Sequence, residues 1–441
     1  MTSQGAAAAE ITRGRVLRIA LPIVISNATI PLLGAVDTGV VGQMGQAAPI
    51  GAVGVGAIIL ASVYWIFGFL RMGTSGLVAQ SFGAGDAAQT GGHLIRALTI
   101  GVVAGLALVL LQYPVAALTF CLAPASVEVE TLARQYLSIR IWGAPATIGL
   151  YALTGWMIAT ERTRSVLAVQ MVINVLNIGL DVAFVLGLGW GVRGVAAATL
   201  IAEMAGFALA VWMARDALAA GRRMSRAALW AREQLDRLWR VNGDIMIRSV
   251  LLQASFTSFI FLGAGLGDVT LAANQVLMQF LNITAYALDG FAFSAEALVG
   301  QAVGARRPVN VRRASVVTAQ WGVGGAVALA AAFALLGGPV IDLLTTSPEV
   351  RETARHFLPW LVAAPVIGVA GWMLDGIFIG ATLTREMRNA MFLSVGVFVA
   401  AVLVLPSVWG NHGLWAALMI LNLTRGVTMF RLYPRAEAVA G

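Results

Sequence analysis

Apolar stretches of about twenty residues recur along the whole chain, separated by short breaks rich in Gly, Pro or charge. Wound as helices, stretches of that length match the hydrocarbon thickness of a bilayer. Hydropathy and breakers predict twelve spans, near 16–42, 49–80, 93–118, 128–158, 164–187, 193–214, 237–263, 269–301, 311–336, 351–380, 388–407 and 412–431. The spans that are longer than a bilayer requires should tilt, kink or project from the membrane.

The pattern repeats. GLVAQSFGAG (76–85) returns as ALVGQAVGAR (297–306), so that Leu77 corresponds to Leu298 and Gln80 to Gln301. At the same offset RQYL (134–137) matches RHFL (355–358), and Thr163-Arg164 matches Thr384-Arg385. Trp190-Gly191 matches Trp409-Gly410 at nearly the same offset. Anchors at nearly one spacing imply two six-helix halves. Six is even, so both halves start on the same side, as parallel repeats about an axis along the membrane normal. The expected division is an amino-terminal lobe 1–214, an Arg-rich linker 215–236 and a carboxyl-terminal lobe 237–441.

Composition agrees with a membrane protein. Of 441 residues 59% are hydrophobic and 11% charged, against about 25% charged in ordinary soluble domains. All 29 cationic residues are Arg. They gather in the amino-terminal segment and in every second loop, while the alternate loops GQMGQAAP (42–49) and ASVEVE (125–130) carry no cation. This bias predicts cytoplasmic termini, and a surplus of +8 that serves topology rather than nucleic acid. The single cysteine, Cys121, excludes an intrachain disulfide, and the first apolar segment is too long for a cleavable signal. The three histidines show no metal spacing. No nucleophile triad, P-loop or zinc motif occurs, so neither an enzyme nor direct ATP coupling is expected.

Candidate chemistry lies where the halves differ. Asp37 and Asp181 sit within spans, and their counterparts in the second half are Ser258 and Val402. At 1.5 Å rise per residue, Asp37, Asp181 and Thr199 all fall roughly 8–9 Å below the outer boundary. Asn177 lies one turn from Asp181, and Glu203 one turn from Thr199. An acid there costs about 2.5–3.5 kcal/mol at the bilayer centre, so a function is the default reading. Neighbouring carboxylates oppose each other's ionisation, which suits a proton carrier. The same oxygens could hold Na⁺ instead. Pro22 and Pro31 can bend the first span and serve as hinges. The carboxyl half buries Arg248, Asp289, Glu296 and Asp375; Arg248 is expected level with Asp289 and Glu296, in a structural ion pair. Gln253, Asn274 and Gln275 read as polar glue between helices.

LPIVISNATIPLLGAVDTGVVGQMG (21–45), GLVAQSFGAGD (76–86), NVLNIGLDVAFVLGLGWGVRGVAAATLIAE (174–203) and LDGFAFSAEALVGQAVGA (288–305) together resemble the multidrug and toxic compound extrusion (MATE) transporters, DinF-like branch. The resemblance covers essentially the whole chain. It implies an all-α, two-lobed, V-shaped exporter of the bacterial inner membrane that exchanges H⁺, or Na⁺, for organic, often cationic or lipophilic, compounds. It also implies a cation site at Asp37, Asn177, Asp181 and Thr199, and a hinge role for Pro22. Relatives carry Asn where this chain has Leu150, so Tyr151 or Thr154 is expected to complete the polar network. No cofactor and no nucleic acid is expected, and a monomer is. The competing readings are a lipid-linked oligosaccharide flippase, disfavoured by the few central cations (Arg71, Arg140, Arg248), and a non-transporting scaffold or receptor, disfavoured by the one-sided acids.

Overall fold

The computed structural model describes residues 10–122 and 126–441, apart from the side chains of Leu32 and Leu122. Residues 1–9 and 123–125 of the expected amino-terminal lobe lie outside this range. All regular structure among the described residues is helical. The first half runs through α1 (Arg13–Gly42), α2 (Ala47–Ile66), α3 (Phe69–Gly83), α4 (Ala87–Leu110), α5 (Gln112–Leu122), α6 (Val127–Arg140), α7 (Ala144–Ala159), α8 (Thr163–Asp181) and α9 (Gly191–Met213). Short helices α10 (Arg215–Arg222) and α11 (Arg226–Leu229) follow. The second half holds α12 (Arg232–Ala264), α13 (Asp268–Gly304), α14 (Pro308–Leu344), α15 (Pro348–Gly380), α16 (Thr384–Trp409), α17 (Asn411–Leu432) and α18 (Pro434–Ala438).

Among the described residues, eleven helices are long and apolar enough to cross a membrane. The expected fourth span does not count among them because a 3₁₀ turn at Ile141–Gly143 divides it into α6 and α7. Its first part is charged: Ser126 caps α6 by accepting from Val129 N, Glu128 and Glu130 occupy the first turn, and Arg140 ends it. That distribution complements the helix dipole.

Contacts divide the chain into two compact units. Of the described residues, one unit comprises those within 25–78 and 86–236, the other those within 10–24, 79–85 and 237–441. Within the first, α2 packs on α6, α4 on α7, and α8 on α9. Within the second the corresponding pairs recur: α13 on α15, α14 on α15, and α16 on α17. Each unit has its own apolar core. In the second, Trp415 is fully buried edge-on against Phe259 at 4.5 Å between ring centroids.

The Arg-rich segment 215–236 is folded against the first unit. Gly91 of α4 and Gly221 of α10 lie backbone to backbone, with no room for a Cβ on either. Arg96, fully buried, donates from Nε to Leu229 O at 2.5 Å and from Nη2 to Ala228 O at 3.3 Å. It thereby satisfies the carbonyls at the end of α11.

The two copies of the repeated phrase meet within the second unit. A Cβ on Gly83 would overlap the backbone of Gln301, and one on Gly304 the backbone of Gln80. One on Gly300 would lie 2.5 Å from the methyl of Ala79, its own counterpart in the first copy. Arg237 Nη2 donates to Gln80 Oε1 at 2.7 Å, and Arg15 Nη2 donates to Gln301 Oε1 at 3.1 Å. Close small-residue contact is how helices associate where water supplies no driving force.

Candidate functional site

The acids of the first half converge. Asp37 comes from α1, Asn177 and Asp181 from the last turns of α8, and Thr199 from α9. Asn177, Asp181 and Thr199 are essentially inaccessible, and Asp37 is 6% exposed. The carboxyl groups of Asp37 and Asp181 are within hydrogen-bonding reach of each other. With its nitrogen turned to the acids, Asn177 donates to Asp181 Oδ2 and to Asp37 Oδ1, both at 3.2 Å, and its oxygen accepts from Thr199 Oγ1 at 3.0 Å. With the amide reversed, Nδ2 donates to Thr199 Oγ1 at the same 3.0 Å, and the hydroxyl donates to Val195 O at 2.9 Å. The amide oxygen then faces the two carboxyls. Asp181 Oδ1 is buried and meets no donor among the described residues.

Local sequence explains the geometry. Directly after Asp181, residues Val182–Gly187 form a π-helical turn, closed by Trp190 N donating to Phe184 O and by stacking of those two rings at 4.9 Å. Such turns re-aim a side chain without ending the helix. Pro22 and Pro31 lie within α1, which stays helical through both. The boundary between the two contact units falls between these prolines, after Val24.

A buried ion pair stands beside the acids. Arg140 donates from Nη1 to Glu203 Oε2 at 2.8 Å and from Nη2 to Glu203 Oε1 at 2.9 Å, and Thr147 Oγ1 adds a third bond to Oε2 at 2.7 Å. This bidentate fork joins α6 to α9 and neutralises Glu203. Sequence spacing puts Glu203 near Thr199 but does not join it to Arg140. The available signal is two opposite charges in apolar spans with no other obvious partner; what hides it is the turn at 141–143, which resets the helical phase. Tyr151 and Thr154 lie on α7 and make no hydrogen bond to Asp37 or Asp181 among the described residues. Neither completes the network.

In the second unit Arg248 lies buried on α12. It bonds to Asp375 of α15, and Arg425 of α17 approaches the same carboxylate oxygen at 4.0 Å. Asp289 and Glu296 lie on α13, with Glu296 buried. Asn274 does act as polar glue: it exchanges hydrogen bonds with Asn411 at 2.8 and 3.0 Å and accepts from Trp415 Nε1 at 3.0 Å. Among the described residues, no cluster of three His, Cys, Asp or Glu could hold a metal. A monovalent ion at the first-half site would draw instead on two carboxylates, an amide oxygen and a hydroxyl, a donor set suited to a hard cation.

The sequence profile of the MatE family matches residues 22–183 and 245–405, one match in each half. The chain is 40% identical to DNA damage-inducible protein F of Escherichia coli K12, over 95% of this chain and 91% of that protein. It is 28% identical to a probable multidrug resistance protein NorM of Bradyrhizobium diazoefficiens, over 96% and 94%. Its fold matches a MOP superfamily transporter from Pyrococcus furiosus at a TM-score of 0.87, with 18% identity and 97% of each chain covered. A bent form of the Vibrio cholerae MATE transporter VcmN matches at 0.86, with 20% identity over 100% of this chain and 99% of that one. Two matches to one family profile, in halves that repeat each other, and 40% identity along nearly the full length show that this multi-pass membrane protein belongs to the MATE family of multidrug transporters.

Proposed function

We propose that the protein is a cation-coupled exporter of organic, mostly cationic or lipophilic, compounds in a bacterial inner membrane, with H⁺ favoured over Na⁺ as the coupling ion. The observation that carries this reading is the shared Asn177 between two buried carboxyls, with the neighbouring Arg140 already engaged by Glu203. With that cation committed, Asp37 and Asp181 need another positive charge. Like charges in a low dielectric repel strongly, and a proton or a small cation relieves them.

The amide gives the binding event a readout. With both acids ionised, Asn177 turns its nitrogen to them and accepts from Thr199. When a proton or Na⁺ arrives, its oxygen can face the acids, Nδ2 donates to Thr199, and the hydroxyl returns to Val195 O. α1, α8 and α9 are thus tied through one rotatable group. In this reading, occupancy from outside alters how α1 packs and favours outward release of the exported compound. At about 150 mV one proton moving inward supplies roughly 3.5 kcal/mol, several-hundred-fold accumulation of a neutral compound.

The test is transport of a fluorescent organic cation in proteoliposomes. Asp37→Asn and Asp181→Asn should each abolish efflux driven by a pH gradient while thermal unfolding shows a folded protein. Efflux that persists in both variants overturns the site assignment. A Na⁺ gradient at constant pH should leave the wild-type protein idle; transport under it would make Na⁺ the coupling ion.

A further inference from the structure

A second charged cavity, in the other unit, has no part in the reading above. Where α12 meets the turn between α15 and α16, a cavity of about 610 Å³ is lined by four arginines: Arg237, Arg240, Arg385 and Arg388. Two carboxylates, Asp244 and Glu386, share the lining with them. Asp244 is taken, accepting from Arg388 Nη1 at 2.6 Å and from Thr384 Oγ1 at 3.0 Å. Glu386 accepts from Arg435, outside the cavity, at 3.2 Å. Arg385 is exposed and makes no hydrogen bond or ion pair with any described residue. Arg237 donates to the neutral amide of Gln80, and Arg240 lies near enough to repel it. The lining therefore carries more positive charge than its own carboxylates offset. The amino terminus of the 26-residue α16 opens there as well, with no side chain capping it, so its first amides and helix dipole add to the positive field.

The repeat says that three of these four arginines are not required by the fold. Arg237, Arg240 and Arg388 correspond, at the repeat offset, to Val16, Ile19 and Leu167 of the first half, whereas Arg385 corresponds to Arg164. The first half builds the equivalent helices without those three. Like-charged guanidiniums held together cost stability, so their presence in one half points to a ligand. Arg also presents the planar fork that matches phosphate oxygens.

We infer that this cavity binds a pair of phosphate groups carrying two negative charges. A dianionic phospholipid headgroup is one source and a soluble diphosphate the other. The site's position favours the lipid: it lies among the arginines that the charge bias assigns to the cytoplasmic face, where α12 and α16 pass from charged ends into apolar spans. Basic pockets between membrane helices on that side are suited to such headgroups.

Native mass spectrometry of the purified full-length protein in detergent, titrated with cardiolipin or with monoanionic phosphatidylglycerol, tests the inference. Cardiolipin should bind more tightly. Arg385→Gln should weaken it about fivefold, and the double variant Arg240→Gln/Arg385→Gln about thirtyfold. Arg385→Lys, which keeps the charge but loses the fork, should weaken binding less than Arg385→Gln does, and thermal unfolding should show all variants folded. Competition by inorganic pyrophosphate distinguishes the sources: displacement means that the phosphates alone suffice, and its absence means that the lipid is the ligand. Equal binding of both lipids, or undiminished cardiolipin binding by the folded double variant, overturns the proposal.

Discussion

Glu203 and Arg140 show what a single buried charge commits its neighbours to. The pair is nearly inaccessible and fully forked, with Thr147 completing the carboxylate's bonds. Deleting one member strands the other in a low dielectric. Glu203→Gln is therefore expected to destabilise the protein by about 3–5 kcal/mol. Arg140→Met combined with Glu203→Leu should recover most of that, since a packed apolar pair carries no desolvation penalty. Chemical unfolding in detergent of the single and double variants checks both. The acids themselves were legible in the sequence because a carboxylate inside an apolar run stands out, and one-turn spacing brings Asn177 to Asp181. Partners across helices were not legible. Depth gives no hint of the bond between Arg248 and Asp375, because depth says nothing of how helices rotate about their own axes.

At the scale of the element, spans were readable and their interruptions were not. The turn that splits the fourth span follows Arg140 in the stretch IWGAP, where Gly143 and Pro145 hint at a break without giving its geometry. The π turn after Asp181 has no sequence marker at all. The glycines of the repeated phrase carry a firmer prediction. Gly83→Ala or Gly304→Ala would drive a methyl into the opposing backbone, which cannot rotate away. Each should cost about 1–3 kcal/mol or more, the usual toll of overpacking. Gly324→Ala, where a Cβ meets nothing within 4 Å, should be neutral or slightly stabilising by helix propensity. Thermal unfolding of the three variants in one detergent makes the comparison.

Across the whole molecule, the two-fold repetition and the alternation of Arg-rich and Arg-poor loops were visible before any coordinates, because both depend on counting along one chain. The docking of segment 215–236 onto α4 was not, since it rests on Gly91, Arg96 and Gly221, none of which forms a recognisable motif. The charge bias predicts sidedness. In a Cys121→Ser background, Glu128→Cys should react with an impermeant maleimide added to intact cells, and Arg223→Cys only after the membrane is opened. The reverse pattern would invert the topology.

The crossing of the two phrases has one more consequence. Gly83 faces Gln301 while Gly304 faces Gln80, so position i of one copy meets j of the other and j meets i. That reciprocity marks an isologous contact, the kind identical subunits make about a dyad. A polypeptide ending after the first six spans would carry a surface complementary to itself and should assemble as a homodimer. Joining the halves in one chain adds no new interface; it replaces dissociable subunits with a tether of high effective concentration. It also frees each half to change alone, as the one-sided acids and the one-sided arginines have done.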